Sequence, residues 1–492
     1  MLAVRRRILM EKDFLFTEEH NNNLPTVRIK RAELNNFKSV RHGEIVMDCG
    51  KQFIPYGTQS DILGLYGQNG SGKTALIEAL AILKMLMSGE SVPDVYTDCL
   101  SINDEPSRLS FAFDLQYKDG QIRELEYSFN LKRVKLTKDE MQERDKDITE
   151  DCEQTDRYKV LVFDEIVKLS GDYNGKKNSK QIIIDTSTKN APFGSAPKLK
   201  AFIGKNRNAI FELEVNKKLT AEKSKSFIFN TKTLQIFKDS GLYSVYFMVL
   251  LEMRYFASMY FSVVDTKSSG FIRFNFALPL YSRLGVRTMH TQRPLNFSNE
   301  EFEYFNEIMN TMSEVLCQLV PGLKIKLKKI TDIFTKKGEP GCMAELVSYR
   351  DGKELPLRDE SDGVRKIISI LSLIINAYNE QSFTLAVDEF DAGIFEYLLG
   401  EILQTFEESG KGQFIFTSHN LRPLEVINKK FLVFTTTNPD NRYFRLKNIS
   451  ATNNLRDVYF REIILGEQEE QIYSKTKRFK IAAAMKQAKM TV

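Results

Sequence analysis

Along residues 27–48, "VRIKRAELNNFKSVRHGEIVMD", apolar and polar positions alternate and β-branched residues are frequent, which predicts two strands. A short apolar run, "ILGLY", predicts a buried strand, and "KTALIEALAILKMLM" after it carries apolar residues at helical spacing. "PSRLSFAFDLQY" and "RELEYSFNL" read as strands of an antiparallel meander joined at the turn "KDGQ", and "VLVFDEIVKL" (160–169) continues it. The dense charges of 132–159 predict a solvated hairpin or loop tip. From about 195 to 315 the chain looks helical and aromatic-rich, ending in "EEFEYFNEIMNTMSEVLCQLV". "GLKIKLKKI" and "CMAELVSY" then predict strands, a helix follows, and "FTLAVDEFD" and "QFIFTSHN" predict two further buried strands. No solenoid-length repeat is present.

Between the strand "ILGLY" and the helix stands "GQNGSGKT", which fills the pattern G-x-x-x-x-G-K-[ST] with Gly67, Gly72, Lys73 and Thr74. Glycines there allow successive backbone N–H groups to point inward at a polyphosphate where a side chain would block it. The loop Gly67, Gln68, Asn69, Gly70, Ser71, Gly72 is the predicted cradle. The helix that begins near Gly72 adds the positive end of its dipole, Lys73 reaches the β- and γ-phosphates, and the Thr74 hydroxyl binds Mg²⁺. The cofactors expected are therefore ATP and Mg²⁺.

Composition narrows the surroundings. Seventy basic residues against 65 acidic ones, a net charge of +5, are too balanced to argue for nucleic acid, so local basic runs carry that case. "LKIKLKKI" puts Lys324, Lys326 and Lys328 on one strand face, and the tail "YSKTKRFKIAAAMKQAKM" is basic; a solvated sheet face and a soluble terminal helix are the plain readings of both. Cys49, Cys99, Cys152, Cys317 and Cys342 are scattered and form no C-x-x-C pair, which indicates neither a disulfide framework nor zinc and suits a reducing cytoplasm. The N-terminus has arginines but no apolar core for a signal peptide. The greasiest stretch, "YSVYFMVLLEMRYFASMYFSVV" (243–264), carries Glu252 and Arg254 at its centre, so it predicts a buried or interface helix and not a membrane span.

A second half of the site follows far downstream. "FTLAVDEFD" places Asp388 and Glu389 at the end of an apolar strand, where a parallel sheet presents its functional groups. Asp388 is the expected Mg²⁺ ligand through water, Glu389 the general base for the attacking water, and His419, ending the next strand in "FIFTSHN", the group that senses the γ-phosphate. Asp164 and Glu165 in "VLVFDEIVKL" imitate the acidic pair, but no histidine closes the next strand, so they are assigned to the meander.

The order of phosphate loop, "ESDGVRKIISILSLII", "LAVDEFD" and "FTSHN" resembles the ABC-class ATPases of the RecF, SMC and OLD kind. The resemblance implies an α/β fold: an ABC-type P-loop ATPase domain with a mixed sheet and an antiparallel β-meander, interrupted by a helical insertion. It implies that Ser361 and Gly363 form the signature that completes a neighbour's ATP site, with Val364 departing from the threonine of many relatives, and that Lys38 and Ser39 of "NNFKSV" lie near the nucleotide. The division expected is an N-terminal extension (1–26), a first ATPase lobe (27–194), a helical insertion (195–315), a second lobe (316–460) and a tail (461–492). "NNLRDVYFREIILG" looks like the family's terminal strand and tail.

The chain looks most like the ATPase subunits of bacterial anti-phage systems, the RloA/AbiL-like group with AriA of PARIS and PtuA of Septu. OLD-type proteins continue into an acidic metal-dependent nuclease domain, whereas only 461–492 follows the second lobe here. That predicts a sensor or scaffold that controls a separate effector protein, a nuclease. Its partners are expected to be a second copy of itself, in an ATP-dependent dimer within a larger homo-oligomer, and that effector; direct DNA binding is possible and no membrane is involved. A RecF- or SMC-like DNA repair or clamping ATPase is the alternative. The long spacing from Lys73 to Ser361 is unlike the compact ATP-binding subunit of a membrane transporter.

Overall fold

The alternating N-terminal segment folds as β1 (Thr26–Phe37) and β2 (Val40–Val46), which turn back on each other at Lys38–Ser39. In the computed structural model the residues described are 24–47, 60–101, 105–137, 158–188, 191–194, 196–265, 277–282, 285–290, 293–335, 338–446, 454–465, 470–474 and 477–488. Strand β3 (Asp61–Tyr66) leads into the loop, and β4 (Ser107–Gln116), β5 (Ile122–Lys135), β6 (Tyr158–Tyr173) and β7 (Lys176–Asp185) form the expected meander. Together they give an antiparallel sheet in the order β2-β1-β4-β5-β6-β7. The middle of the charged run falls outside the described residues; its ends belong to β5 and β6.

Downstream come β8 (Phe261–Val264), the hairpin β9 (Ala277–Ser282) and β10 (Gly285–His290), and β11 (Leu295–Ser298). Strands β12 (Lys324–Phe334), β13 (Pro340–Arg350) and β14 (Lys353–Pro356) join β11 in a second antiparallel sheet in which β13 pairs with each of the other three. Strands β15 (Thr384–Val387), β16 (Gln413–Thr417), β17 (Leu432–Thr435) and β18 (Tyr443–Phe444) complete a mixed six-stranded sheet in the order β18-β17-β3-β16-β15-β8. Its five strands from β17 to β8 are parallel, and β18 is antiparallel at one edge.

Helix Lys73–Met87 is buried along its whole length apart from Thr74 and Lys84, because it is enclosed between the antiparallel sheet and the mixed sheet. An all-round apolar helix is what such a position requires. It carries the phosphate loop at its N-terminus, so the loop inherits the rigidity of both sheets.

The stretch 195–315 holds the helices Ala196–Ile203, Arg207–Glu222, Thr231–Asp239, Val245–Met259 and Asn299–Leu319, but β8 to β11 interrupt it. Strand β8 pairs in parallel with β15 and is the edge of the nucleotide-bearing sheet, not part of a helical insertion. Four residues, "FSVV", three of them buried, are too few for periodicity to separate strand from helix. The greasy stretch therefore splits into a helix and a strand at Tyr260, and Phe247, Leu250, Met253 and Phe256 are buried in the core beneath the meander. It is core, and the interface reading for it fails. Among the described residues no helix is long and apolar enough to cross a membrane. "NLRDVYF" also differs from expectation: it forms the helix Leu455–Leu465, started by the Asn454 side chain accepting from the Arg456 N–H (2.9 Å), with Leu455, Val458 and Tyr459 buried at helical spacing.

Glu252 shows how the core tolerates an acid. It accepts a hydrogen bond from the Tyr117 hydroxyl (2.5 Å), Arg123 stands beside that tyrosine (Nη1 to Oη 3.0 Å), and burial pushes its carboxyl up to about 7. A carboxyl that is more easily protonated in the folded chain costs stability as pH rises from its ordinary value through about 7. Glu252→Gln should therefore flatten the pH dependence of unfolding and raise stability at pH 8 by up to about 3 kcal/mol, read from denaturant midpoints at pH 5 and pH 8. An unchanged slope between the two chains would show that Glu252 ionises freely.

Candidate nucleotide site

A cavity of about 540 Å³ opens at the carboxyl ends of β3, β15 and β16. Its walls are Lys38 and Ser39 from the β1–β2 turn, Asn69, Gly70, Gly72, Lys73, Thr74 and Ala75 from the loop and its helix, Glu389, Asp391 and Ala392 after β15, and Thr417 and His419 after β16. Residues 350 positions apart in the chain meet because parallel strands all present the same end.

The loop has the geometry its sequence demands. Gly70 and Gly72 sit at φ of 76° and 98°, in the left-handed region where a Cβ is costly. A Cβ on Gly67 would strike the Thr435 hydroxyl, which hydrogen-bonds the Ser71 hydroxyl and the Tyr66 carbonyl (3.2 Å). Gly67 and Ser71 thus fix the loop from behind and do not line the cavity. Gln68 turns its side chain outward, accepting from the Ser474 N–H (2.9 Å). The Lys73 ammonium donates to the Gly67 and Gln68 carbonyls at 2.7 and 3.1 Å, and burial lowers its pKa to about 8 despite Asp388, Glu389 and Asp391 nearby.

Asp388 and Glu389 take different positions: the first is buried and the second exposed. Asp388 is buried; one carboxylate oxygen accepts from the Thr417 hydroxyl (2.6 Å) and from the Thr74 hydroxyl (3.4 Å), while the other is buried without a hydrogen-bond partner. Burial holds its carboxyl above the ordinary range. A hard divalent cation fits this pair of oxygen donors, one of them with an unused lone pair, if phosphates and water supply the remaining ligands. Glu389 has a left-handed backbone (φ 48°), which costs about 1 kcal/mol for a residue with a Cβ. Three backbone hydrogen bonds hold the turn: Glu389 N–H to the Thr417 hydroxyl (2.8 Å), Phe390 N–H to the Thr417 carbonyl (2.9 Å), and the Lys366 ammonium to the Glu389 carbonyl (2.7 Å). The exposed Glu389 side chain is thereby turned to the cavity.

His419 is exposed at the rim, its N–H bonded to the Asp391 carboxylate (3.1 Å), which also takes the Asn420 N–H (2.9 Å). Lys38 is held in the left-handed region (φ 53°) and pairs at 2.6 Å with Glu78, a buried acid one turn beyond Thr74. The imitating pair is structural: Asp164 sits at φ 50°, and buried Glu165 accepts from the Tyr127 and Ser226 hydroxyls and the Phe227 N–H, tying the meander to the helical segment.

Ser361 and Gly363 are brought elsewhere. Ser361 is an exposed N-cap for helix Asp362–Asn379, its hydroxyl accepting from the Val364 N–H (3.3 Å), and neither residue lines the cavity of its own chain. Gly363 packs so tightly on Gly393 that a Cβ there would overlap the Gly393 carbonyl. Thr417, Asp391, Lys366 and Thr435 are the residues that sequence reading missed. Only Thr417 left a trace, as the last residue of an apolar strand.

On the β12 face Lys324, Lys326 and Lys328 are exposed as predicted, but Lys326 and Lys328 both pair with Glu354 (3.1 and 2.5 Å), which removes much of their pull on a polyanion. Cys99, Cys317 and Cys342 are in no disulfide, and the Cys99 thiol donates to Glu78 (3.3 Å); Cys49 and Cys152 lie outside the described residues.

With the glycine loop, its lysine, Glu389 and His419 on one cavity and Asp388 behind Thr74, the class is that of P-loop ATPases, built on a mixed sheet beside an antiparallel one. The chain belongs to the AAA ATPase domain family, whose model matches residues 28–422. No curated protein matches it. Among solved structures it is similar to the Smc head domain with an extended coiled coil bound to the C-terminal domain of ScpA from Pyrococcus furiosus, at 14% identity over 85% of this chain and 96% of that one, TM-score 0.34. It is similar to the SMC head domain from Thermotoga maritima (13% identity, 86% and 100% covered, TM-score 0.33). A further similar structure is the recombination mediator protein RecF-ATPrS of the RecFOR pathway (11% identity, 85% and 98% covered, TM-score 0.34).

Proposed function

We propose that this chain is an Mg²⁺-dependent ATPase whose hydrolytic site is completed by Ser361 and Gly363 of a second copy. The observation that carries the proposal is the split itself. Lys73, Thr74, Glu389 and His419 line one cavity and buried Asp388 backs it through the Thr74 hydroxyl (3.4 Å), while Ser361 caps a helix whose N-terminus is exposed outside it. A helix N-terminus with a small hydroxyl donor suits the γ-phosphate of a nucleotide held by a neighbour.

In this scheme the loop amides and the Lys73 ammonium hold the β- and γ-phosphates. Thr74 and Asp388 would hold Mg²⁺, which when bound would supply charge screening at the phosphate oxygens. Glu389 takes the proton of the attacking water, and His419 hydrogen-bonds the γ-phosphate. Hydrolysis should vanish with excess chelator and return with added Mg²⁺; turnover indifferent to chelator would overturn the metal assignment.

Lys366 belongs to the same machinery as a positioning residue, since it joins the signature helix to the Glu389 carbonyl while Gly363 abuts Gly393 on the same turn. Lys366→Met should lower kcat about tenfold with ATP binding unchanged, and Lys366→Arg should recover part of it. A fall in affinity or melting temperature with intact kcat would mark Lys366 as structural only.

The motif order and its resemblance to anti-phage ATPase subunits support a more specific role, that of a sensor or scaffold within a homo-oligomer that controls a separate effector, a nuclease. Phage plating with the gene and its neighbours should show protection that Glu389→Gln abolishes; protection unaffected by that change would separate ATP hydrolysis from defence. A DNA-clamping role is the alternative, favoured by helix Arg478–Ala488, which is basic and has no buried residue. It requires duplex DNA affinity that falls steeply with salt.

A further inference from the structure

Helix Arg207–Glu222 presents an apolar stripe to solvent. Its inner face, Ala209, Leu213, Asn216 and Thr220, is buried, Asn216 donates to the Thr233 hydroxyl (2.7 Å), and the Asn206 side chain caps its start. On the outside Phe211, Val215 and Leu219 are 68%, 41% and 44% exposed at i, i+4 and i+8. Four-residue spacing puts Phe211 and Leu219 about 40° to either side of Val215, so the stripe is symmetric about that residue. Singly exposed apolar residues need no explanation, but an aligned row on one rigid helix is the seam of a helix pair.

The charges beside the stripe select the occupant. Glu214 and Lys218 flank it on one side, Glu212 and Lys223 on the other. Two copies laid antiparallel with a two-fold axis at Val215 bring Glu214 against the partner's Lys218 and Glu212 against the partner's Lys223, each pair occurring twice. Parallel packing would set Glu212 against the partner's Glu214 and Lys218 against the partner's Lys223, which repel. Among the described residues Glu214, Lys218 and Lys223 form no ion pair within the chain, and Glu212 makes only an exposed one, to Lys232 at 2.9 Å.

We infer that this helix docks a second copy of the same chain, antiparallel about Val215 and without need of nucleotide. The inference does not rest on the nucleotide-site reading. One helix pair buries less than the roughly 1,200 Å² of a standard interface, so this contact is a weak one, with dissociation in the micromolar range.

Sedimentation of the full chain, without nucleotide and with chelator, tests it. Wild type should pass from monomer to dimer between about 1 and 100 µM, and Val215→Glu should stay monomeric with an unchanged melting temperature. Lys218→Glu should weaken association about tenfold, and adding Glu214→Lys to the same chain should restore it, because both ends of each pair are then exchanged. Val215→Cys should cross-link to itself on mild oxidation, with the disulfide mapped to position 215. A wild-type monomer at every concentration, self-association that Val215→Glu leaves intact, or a different protein released by Val215→Glu while self-association persists would each overturn the inference.

Discussion

A mixture of Lys73→Ala and Ser361→Arg chains should hydrolyse ATP although each variant alone does not. In a Lys73→Ala dimer neither cavity retains nucleotide, because the remaining loop contacts are backbone N–H groups that cannot replace a charge-assisted partner. In a Ser361→Arg dimer both nucleotides are bound and neither is capped. A mixed dimer keeps one complete site, with the loop of one chain facing the intact serine of the other. Random pairing then yields about a quarter of wild-type turnover, since half the dimers carry one of two sites. Phosphate release against mixing ratio measures this. If the mixture stays dead while both variants fold and associate, Ser361 is a helix cap and nothing more; loss of that cap alone costs about 1 kcal/mol, which melting of the single variant would reveal. For wild type, burial of Lys73 adds a pH signature. Its ammonium deprotonates near pH 8 in the free chain, so ATP binding above that pH should take up a proton and weaken as pH rises.

Glu389→Gln should bind ATP as tightly as wild type and hydrolyse it 10²–10⁴-fold more slowly, the usual loss when a general base is removed. Its hydrogen bonds in the turn are made by its backbone, to Thr417, Lys366 and the Ala392 N–H, so an amide of equal size leaves the turn in place. Trapped ATP should also favour the dimer, which sedimentation with and without nucleotide would detect. A variant that turns over at the wild-type rate would move the base elsewhere, and Asp391, already engaged with the His419 and Asn420 N–H groups, is a poor substitute.

Local chemistry was legible from the chain alone. The loop from Gly67 to Thr74 is contiguous, its glycines are required by backbone angles, and its helix follows at once, so spacing suffices to place it. Asp388 and His419 were legible for a related reason: each stands at or just beyond the carboxyl end of a short apolar run, and parallel strands bring such ends together. The meander and the exposed lysines of β12 followed from alternation, which encodes a half-solvated face directly.

Tertiary structure alone decided the rest. Thr417 binds both Asp388 and the Glu389 backbone, Lys366 reaches across from another helix, Thr435 locks Ser71 from the far side of the loop, and Glu165 turns out to be an anchor while Glu389, with the same preceding aspartate, faces a cavity. Nothing in a period or a spacing encodes these pairings. Strand β8 was hidden likewise, and Val245–Met259 was legible only as a buried or interface helix, because a short apolar run has the same pattern whether it is strand, core helix or interface. An apolar residue specifies only that something must cover it. For Phe247 the folded chain does so, while Phe211, Val215 and Leu219 remain uncovered, and that difference exists only once the sheets and helices are packed.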